Sequence, residues 1–378
     1  MFKKFTNGCV KLVQRFLPDA FVFCIILTIV VFIAAMPVAG MNPIEVANAW
    51  GSGVWGLLAF SMQMALVLVL GSALANAPAI KRIIVKLAGV PKKPAGAVAF
   101  VTIISAICCF INWGFGLIIG ALLAKEVAKK IKGLDYRLII AAAYSGFVIW
   151  HSGISGSIPL GMTALDVDGT VANTGGAVTE IVPTSQTIFS AWNLIMVLAV
   201  VVVVAIVNAK MHPDAKDVVS IDPKLLEDAP EAVETKAKKD RTPAEKLENS
   251  MILSYIVVVI GAVYLIYYFV NAGSILNALS LNIVNLIFLI LGIAFHKTPI
   301  GYVKAIMESA ESAGGIILQF PFYAGIQGMM VTAGSNGVSL ASAISNGFVS
   351  ISTPRTFPVL CYFCLLYTSP SPRDRTRS

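Results

Sequence analysis

Charge is scarce in this chain, and what there is avoids the apolar runs. Only 13% of the 378 residues are Asp, Glu, Lys or Arg, against 57% hydrophobic, and the mean hydropathy is +0.82. A soluble domain with a large core does not reach that balance, so the chain reads as an all-α polytopic membrane protein. Asp and Glu are absent from every apolar run, which excludes a carboxylate proton relay within them. Cysteines with zinc-site spacing are missing too: Cys9, Cys24, Cys108, Cys109, Cys361 and Cys364 include no CxxC pair near a second pair or a His cluster. No metal and no cofactor is implied. A small-x-small cleavage site is lacking after the first apolar run, 20–39, so that run reads as a retained helix. The net charge of +8 looks basic. Its Lys and Arg sit in loops beside apolar runs, which is an orientation signal and not a nucleic-acid patch.

The stretch 95–124 organises the rest. It holds no charge over thirty residues, with Ile111-Asn112-Trp113-Gly114-Phe115-Gly116 in its middle. One transmembrane helix needs about 20 apolar residues and two need about 40. Lys81, Arg82, Lys86, Lys92 and Lys93 precede it, and Lys125, Lys129, Lys130, Lys132 and Arg137 follow. Basic short loops stay cytoplasmic, so both ends belong on one side. The expectation is a re-entrant hairpin of two half-helices, each roughly 15 residues and about 22 Å long. Asn112, Gly114 and Gly116 are poor interior helix formers and fall at the turn.

Around it, spans are expected at about 20–39, 54–75, 138–160 and 187–208, which with the hairpin form a first repeat over 1–208. The N-terminus, with Lys3, Lys4, Lys11 and Arg15, lies inside; 40–53 and 161–186 lie outside. Residues 79–89 form an amphipathic helix on the cytoplasmic surface. The outer half of 138–160 carries Gly153, Gly156 and Pro159 and should unwind. Residues 209–250 hold eight Lys/Arg and ten Asp/Glu and read as a flexible cytoplasmic linker. An incomplete second repeat, 251–363, has spans at about 251–270, 275–295 and 313–332, the last with a break at Pro321. Residues 338–350 lie on the outer surface.

The repeat shows as Asn42-Pro43-Ile44 before one span and Thr298-Pro299-Ile300 before another. An offset of 260 lays Leu57-Leu58-Ala59-Phe60 on Ile317-Leu318-Gln319-Phe320. The two copies cross in opposite senses, so the repeat is inverted, and inverted repeats meeting at half-helices mark secondary transporters. A second hairpin is expected from about Phe357. Instead 364–378 turn polar and proline-broken, with Arg373, Arg375 and Arg377. They read as a non-native tail on a truncated frame.

Several stretches resemble the short-chain fatty acid transporter family. They are Arg15-Phe16-Leu17-Pro18-Asp19, Met62-Gln63-Met64-Ala65-Leu66, Asn112-Trp113-Gly114-Phe115-Gly116-Leu117 and Tyr144-Ser145-Gly146-Phe147. Asp217-Val218-Val219-Ser220-Ile221-Asp222-Pro223 and Gln319-Phe320-Pro321-Phe322-Tyr323 belong with them. The resemblance implies a bacterial inner-membrane carrier for acetoacetate, butyrate and similar monocarboxylates.

A carboxylate inside the membrane needs hydrogen-bond donors, ideally amides at a half-helix N-terminus. Asn112, Gly114 and Gly116 can offer them, and so can Ser152, Ser155 and Ser157 if the second break faces the same cavity. Trp113 can wall a short acyl tail, with Phe115 and Trp150. Gln319 and Tyr323 can contribute from the second repeat. Against this, serines in membranes often serve helix packing alone. His151 can carry a coupling proton, or it is an interfacial residue beside Trp150. Coupling to H⁺ or Na⁺ stays open, and so does assembly as a homo-oligomer. Two other readings compete. A dicarboxylate carrier of the same architecture would want cations at mid-depth, which the spans lack. Gly153-Ile154-Ser155-Gly156 also matches the GxSG of intramembrane serine proteases. That reading needs a histidine at the depth of Ser155, and His296 sits toward the other side.

Overall fold

The computed structural model describes residues 18–156, 158–160, 167, 178–226, 241–276, 278–353, 355–357 and 359–360. Every regular element among them is helical. In chain order they are α1 (Ala20–Ala39), α2 (Pro43–Gly53), α3 (Leu58–Ala75), α4 (Pro78–Leu87), α5 (Pro94–Ile111) and α6 (Trp113–Lys130). Then follow α7 (Tyr136–Ser145), α8 (Ala191–Lys210), α9 (Pro243–Glu248), α10 (Met251–Asn271), α11 (Leu281–His296), α12 (Pro299–Ala310), α13 (Gly314–Val331) and α14 (Leu340–Ile351). Five of these, α1, α3, α5, α8 and α10, are long and apolar enough to cross a membrane. The protein is an all-helical polytopic membrane protein.

The helices pack as two compact units, residues 1–62 with 312–378, and residues 63–311. This division by packing cuts across the expected repeat halves. Lipid gives apolar side chains no reason to leave it, so helix contacts in a bilayer rest on close backbone approach and hydrogen bonds. The first unit follows that rule. A Cβ on Gly53 would meet the Ala324 carbonyl at 2.8 Å and Gly328 Cα at 3.0 Å, and one on Gly328 would meet the Ala49 carbonyl at 2.5 Å. Helices α2 and α13 therefore touch backbone to backbone. Trp50 and Phe322 close the seam with ring centroids 6.0 Å apart. Ser335 Oγ and Asn336 Nδ2 donate to the carbonyls of Gly40 (2.7 Å) and Val38 (2.9 Å), satisfying the end of α1.

Two expectations change in this unit. The helix expected from 54 does not begin there, because 43–53 form a helix of their own. Asn42 and Glu45 form a capping box around Pro43, and the helix they start runs to Gly53. A turn over 54–57 then delays the next helix to Leu58. Pro321 does not break its helix either, since α13 runs unbroken from Gly314 to Val331. Only one backbone bond is forfeited there, and Phe320 and Phe322 on either side pack onto Phe60 and Trp50.

In the second unit α3 and α11 run in the same direction, tied at both ends. Asn285 Nδ2 donates to the Gln63 carbonyl (3.0 Å), and His296 Nε2 lies 2.8 Å from the Ala73 carbonyl. Helix α10 lies antiparallel to α11: Tyr255 bonds the Ala294 carbonyl near one end and Tyr268 the Ala278 carbonyl near the other. The main core lies between α4, α5, α6 and α7, around Ile84, Val98, Leu123, Val127 and Ile139. Helix α4 therefore turns its apolar side to α6. It does not lay that side on a membrane surface, as its amphipathic pattern suggests.

The segment after α8 is also more ordered than a flexible linker. His212 Nε2 accepts from the Asp135 N–H (3.3 Å), the Val219 carbonyl from the Tyr136 N–H (2.9 Å), and Leu226 is buried. Asp135, only 3% exposed, accepts from the amides of Leu138 and Val219, both at 2.9 Å. Burial pushes its carboxyl up, but these amides and the Arg137 guanidinium outweigh burial and hold it below the ordinary carboxylate value. A depressed carboxyl stabilises the fold above its unfolded value of about 3.9 and loses that contribution as pH falls through the folded value. Segment 212–226 should thus stay docked at neutral pH and loosen only in acid below about pH 4. Amide exchange at Val219 reads this directly, and Asp135→Ala should raise its exchange already at pH 7. Unchanged protection in that variant would remove Asp135 as the anchor.

Candidate functional site

Asn112 is the pivot of the hairpin. Its backbone is extended (φ −152°, ψ 120°), which ends α5 and starts α6 at one residue. Asparagine suits both ends of the break. Its N–H donates to the Cys108 carbonyl (2.9 Å), closing α5, while its Oδ1 accepts from the Phe115 N–H (2.9 Å), capping α6. The arms are longer than expected, 18 residues each, because α6 continues through the charged Lys125–Lys130 turn. Glycine lets them close. A Cβ on Gly116 would collide with the backbone of Cys109, and one on Gly120 would meet Ser105 Oγ at 2.6 Å.

Helix α8 measures how deep the tip lies. Asn208, near its end, donates to Thr102 Oγ1 (3.0 Å) on α5 and Ser145 Oγ (2.7 Å) at the end of α7. From Thr102 to Asn112, α5 rises about 15 Å at about 1.5 Å per residue, while α8 as a whole is about 30 Å long. At the other end of α8, Asn193 donates to the Ser152 carbonyl, and Gly153 and Ile154 lie against Phe110, so the tip falls toward the start of α8 while the base of the hairpin extends beyond its end.

Two further segments close on the tip. Helix α7 tightens at Gly146 into a 3₁₀ turn that runs to Ser152, so the expected unwinding starts earlier than Gly153. Beyond it the Ile154 N–H donates to the Phe110 carbonyl (2.6 Å), and Ser155 Oγ, fully buried, accepts from the Trp113 N–H (2.9 Å). On the other side α3 presents Gly71 and Leu68. A Cβ on Gly71 would sit 2.6 Å from the Phe115 nitrogen and 2.7 Å from Asn112 Oδ1, and one on Gly114 would sit 2.7 Å from Leu68 Cα. Trp113 (3% exposed), Phe147 and Trp150 form an aromatic wall with centroids 5.3–6.1 Å apart.

Of the expected site residues, the fold brings together Asn112, Trp113, Gly114, Gly116, Ser155 and the 3₁₀ turn with His151 and Ser152. The roles shift, however. The amides of Trp113, Phe115 and Gly116 are already bonded, to Ser155 Oγ, Asn112 Oδ1 and the Asn112 carbonyl. Gly114 and Gly116 serve contact with α3 and α5. What stays unspent is Asn112 itself. It is 0% exposed and its Nδ2 has no hydrogen-bond partner among the described residues. Buried amide donors are rarely left so. The His151 ring lies against Trp150, centroids 3.7 Å apart. The Ser152 carbonyl accepts from Asn193 Nδ2 (3.2 Å). Ser157 falls outside the described residues. Gln319 and Tyr323 belong to the other unit, where the Tyr323 hydroxyl donates to Gln319 Oε1 (3.2 Å).

Residues the sequence did not single out complete the surround. Gly71 meets the cap, and Phe288 of α11 packs on Phe115 with centroids 5.7 Å apart. A glycine in a long apolar run gives no hint of the partner it meets. Ser155 Oγ accepts the Trp113 N–H and His296 faces the Ala73 carbonyl, so the pair that the GxSG reading would need is engaged with other partners. Among the described residues no His, Cys, Asp or Glu cluster could hold a metal.

A buried polar tip inside a multi-pass helical membrane protein is an arrangement that carriers of polar solutes use. The family model described as short chain fatty acid transporter matches residues 1–367, and the chain belongs to that family. A protein of Escherichia coli (strain K12) named "Putative short-chain fatty acid transporter" is 40% identical over 363 residues, covering 96% of this chain and 79% of its own length. One of the same name from Haemophilus influenzae is 40% identical over 368 residues, with the same coverage. No solved structure matches the chain.

Proposed function

We propose that the chain is a secondary transporter that moves short-chain monocarboxylates, acetoacetate and butyrate among them, across the bacterial cytoplasmic membrane. The observation that carries the reading is the Asn112 Nδ2, buried at a half-helix tip with its donors unspent. A carboxylate supplies the missing acceptors, and Trp113 beside it suits a short acyl tail. Transport is coupled to H⁺ or Na⁺. The apolar runs hold no Asp or Glu, so the acid form of the substrate, His151 or a sodium ion would bring the coupling charge.

The hairpin is re-entrant in this reading, with both basic flanks and the N-terminus on the cytoplasmic side. The basic residues on both flanks support that, and the like direction of α3 and α11 fits two spans running inward. Support for an inverted repeat comes from paired elements. Helices α2 and α12 each begin with a side-chain cap and a proline at the first position, and each precedes an 18-residue helix, α3 and α13.

Uptake of labelled butyrate and acetoacetate into proteoliposomes, with Na⁺ and pH gradients imposed separately, tests the function. Accumulation driven by one gradient is the expected result, and none for any monocarboxylate would overturn it. For the hairpin, single cysteines at Lys93 and Lys132 should both react from the cytoplasmic side only. Labelling of one of them from outside would make α5 a through-going span.

A further inference from the structure

The side of α4 that faces away from the hairpin carries Lys81, Arg82 and Lys86, all exposed, while Ile84 (2% exposed) and Ala88 (0%) are buried on the opposite side against the α6 core. The loop that follows adds Lys92 and Lys93, also exposed, just before α5 begins at Pro94. Among the described residues of this region the ion pairs are Lys129 with Glu126 and Arg137 with Asp135. Neither involves these five cations. Five like charges within thirteen residues repel one another unless an outside anion joins them.

We propose that this face binds the headgroups of anionic phospholipids and fixes the base of the hairpin to the membrane surface. Two observations favour a lipid over a soluble polyanion. Ile83, Val85 and Val90 lie exposed among the cations, at 52%, 45% and 57%. Free phosphate has no use for apolar contacts, whereas the glycerol and upper acyl region of a lipid does. The face also adjoins the first turn of α5, a helix apolar enough to cross a membrane, so it stands at the boundary where headgroups are. The link to the hairpin is direct: Lys130 Nζ, at the end of α6, donates to the Val85 carbonyl of α4. An anionic lipid held by α4 thereby holds α6. The proposal rests on α4 lying at that boundary, and it does not depend on which solute is carried.

The same residues could act only as an orientation signal during insertion, with no role once the protein is folded. The full chain in nanodiscs separates the two, because a disc exposes both leaflets and orientation drops out. Native mass spectrometry would count retained phosphatidylglycerol, and thermal unfolding would be compared between phosphatidylcholine discs and discs that also contain phosphatidylglycerol. Retention and a raised midpoint are expected for the unaltered chain and for a control with Lys216, Lys246 and Lys304 changed to Gln. Both should be lost in Lys81→Gln/Arg82→Gln/Lys86→Gln and kept in Lys81→Arg/Lys86→Arg, which tests charge without disturbing helix. Each cation near an anionic surface should count for about fivefold in affinity. Equal retention by the Gln triple variant would overturn the proposal. So would a midpoint shift reproduced in full by inorganic phosphate alone.

Discussion

Gly71→Val should leave little folded carrier, while Gly96→Ala should fold at least as well as the parent. Both glycines lie in helices, and intrinsic propensity favours replacing either. Their surroundings decide the sign. Nothing lies within 4 Å of a Cβ on Gly96, so alanine there removes backbone freedom from the unfolded chain and stabilises by about 0.4–1 kcal/mol. At Gly71 the new carbon meets the Phe115 nitrogen and Asn112 Oδ1, the two atoms of the cap that starts α6. Overpacking costs about 1–3 kcal/mol and loss of the cap about 0.5–2 more. Monodisperse protein recovered after a mild heat step measures the pair. A Gly71→Val protein as stable as the parent would mean that α3 does not press on the tip.

Asn112→Asp should fold and fail to transport. Aspartate keeps the oxygen that caps α6, so the helix start survives. It loses both Nδ2 donors and sets a negative charge where the substrate carboxylate would lie. Asn112→Ala differs in kind. It loses the cap, worth about 1 kcal/mol, and also the donors. A charge-assisted hydrogen bond forgone costs about 1.5–3 kcal/mol, or roughly 10- to 150-fold in apparent affinity. Butyrate uptake for the Asp variant, read beside its melting curve, separates binding from folding. Full uptake by Asn112→Asp would assign the residue to structure alone.

The break at Asn112 was legible in the sequence because an uncharged run too long for one span and too short for two has an asparagine among glycines in its middle. The roles of those glycines were not legible. A glycine that permits close approach and one that offers an amide look alike until Leu68 and Cys109 are seen against them. Helix α2 lay in plain view, with Asn42, Pro43 and Glu45 spelling its start. It was passed over because 40–53 was assigned a side of the membrane and no element. Pro321 misled in the opposite sense, since a single proline forfeits one backbone bond and the aromatic packing on either side holds the helix straight through. The docking of 212–226 onto Asp135 depends on a contact 84 positions away in sequence, which no local pattern encodes.

The aromatic wall also gives the molecule a built-in optical reporter. Trp113 and Trp150 are two of only five tryptophans, and their rings are 6.0 Å apart, close enough to exchange excitation and to quench one another. Trp113 directly follows the residue proposed to hold the carboxylate. An arriving anion would change the field around one indole and the spacing between both. Intrinsic emission, with Trp50, Trp55 and Trp192 changed to Phe to lower the background, could then follow occupancy in real time in unlabelled protein.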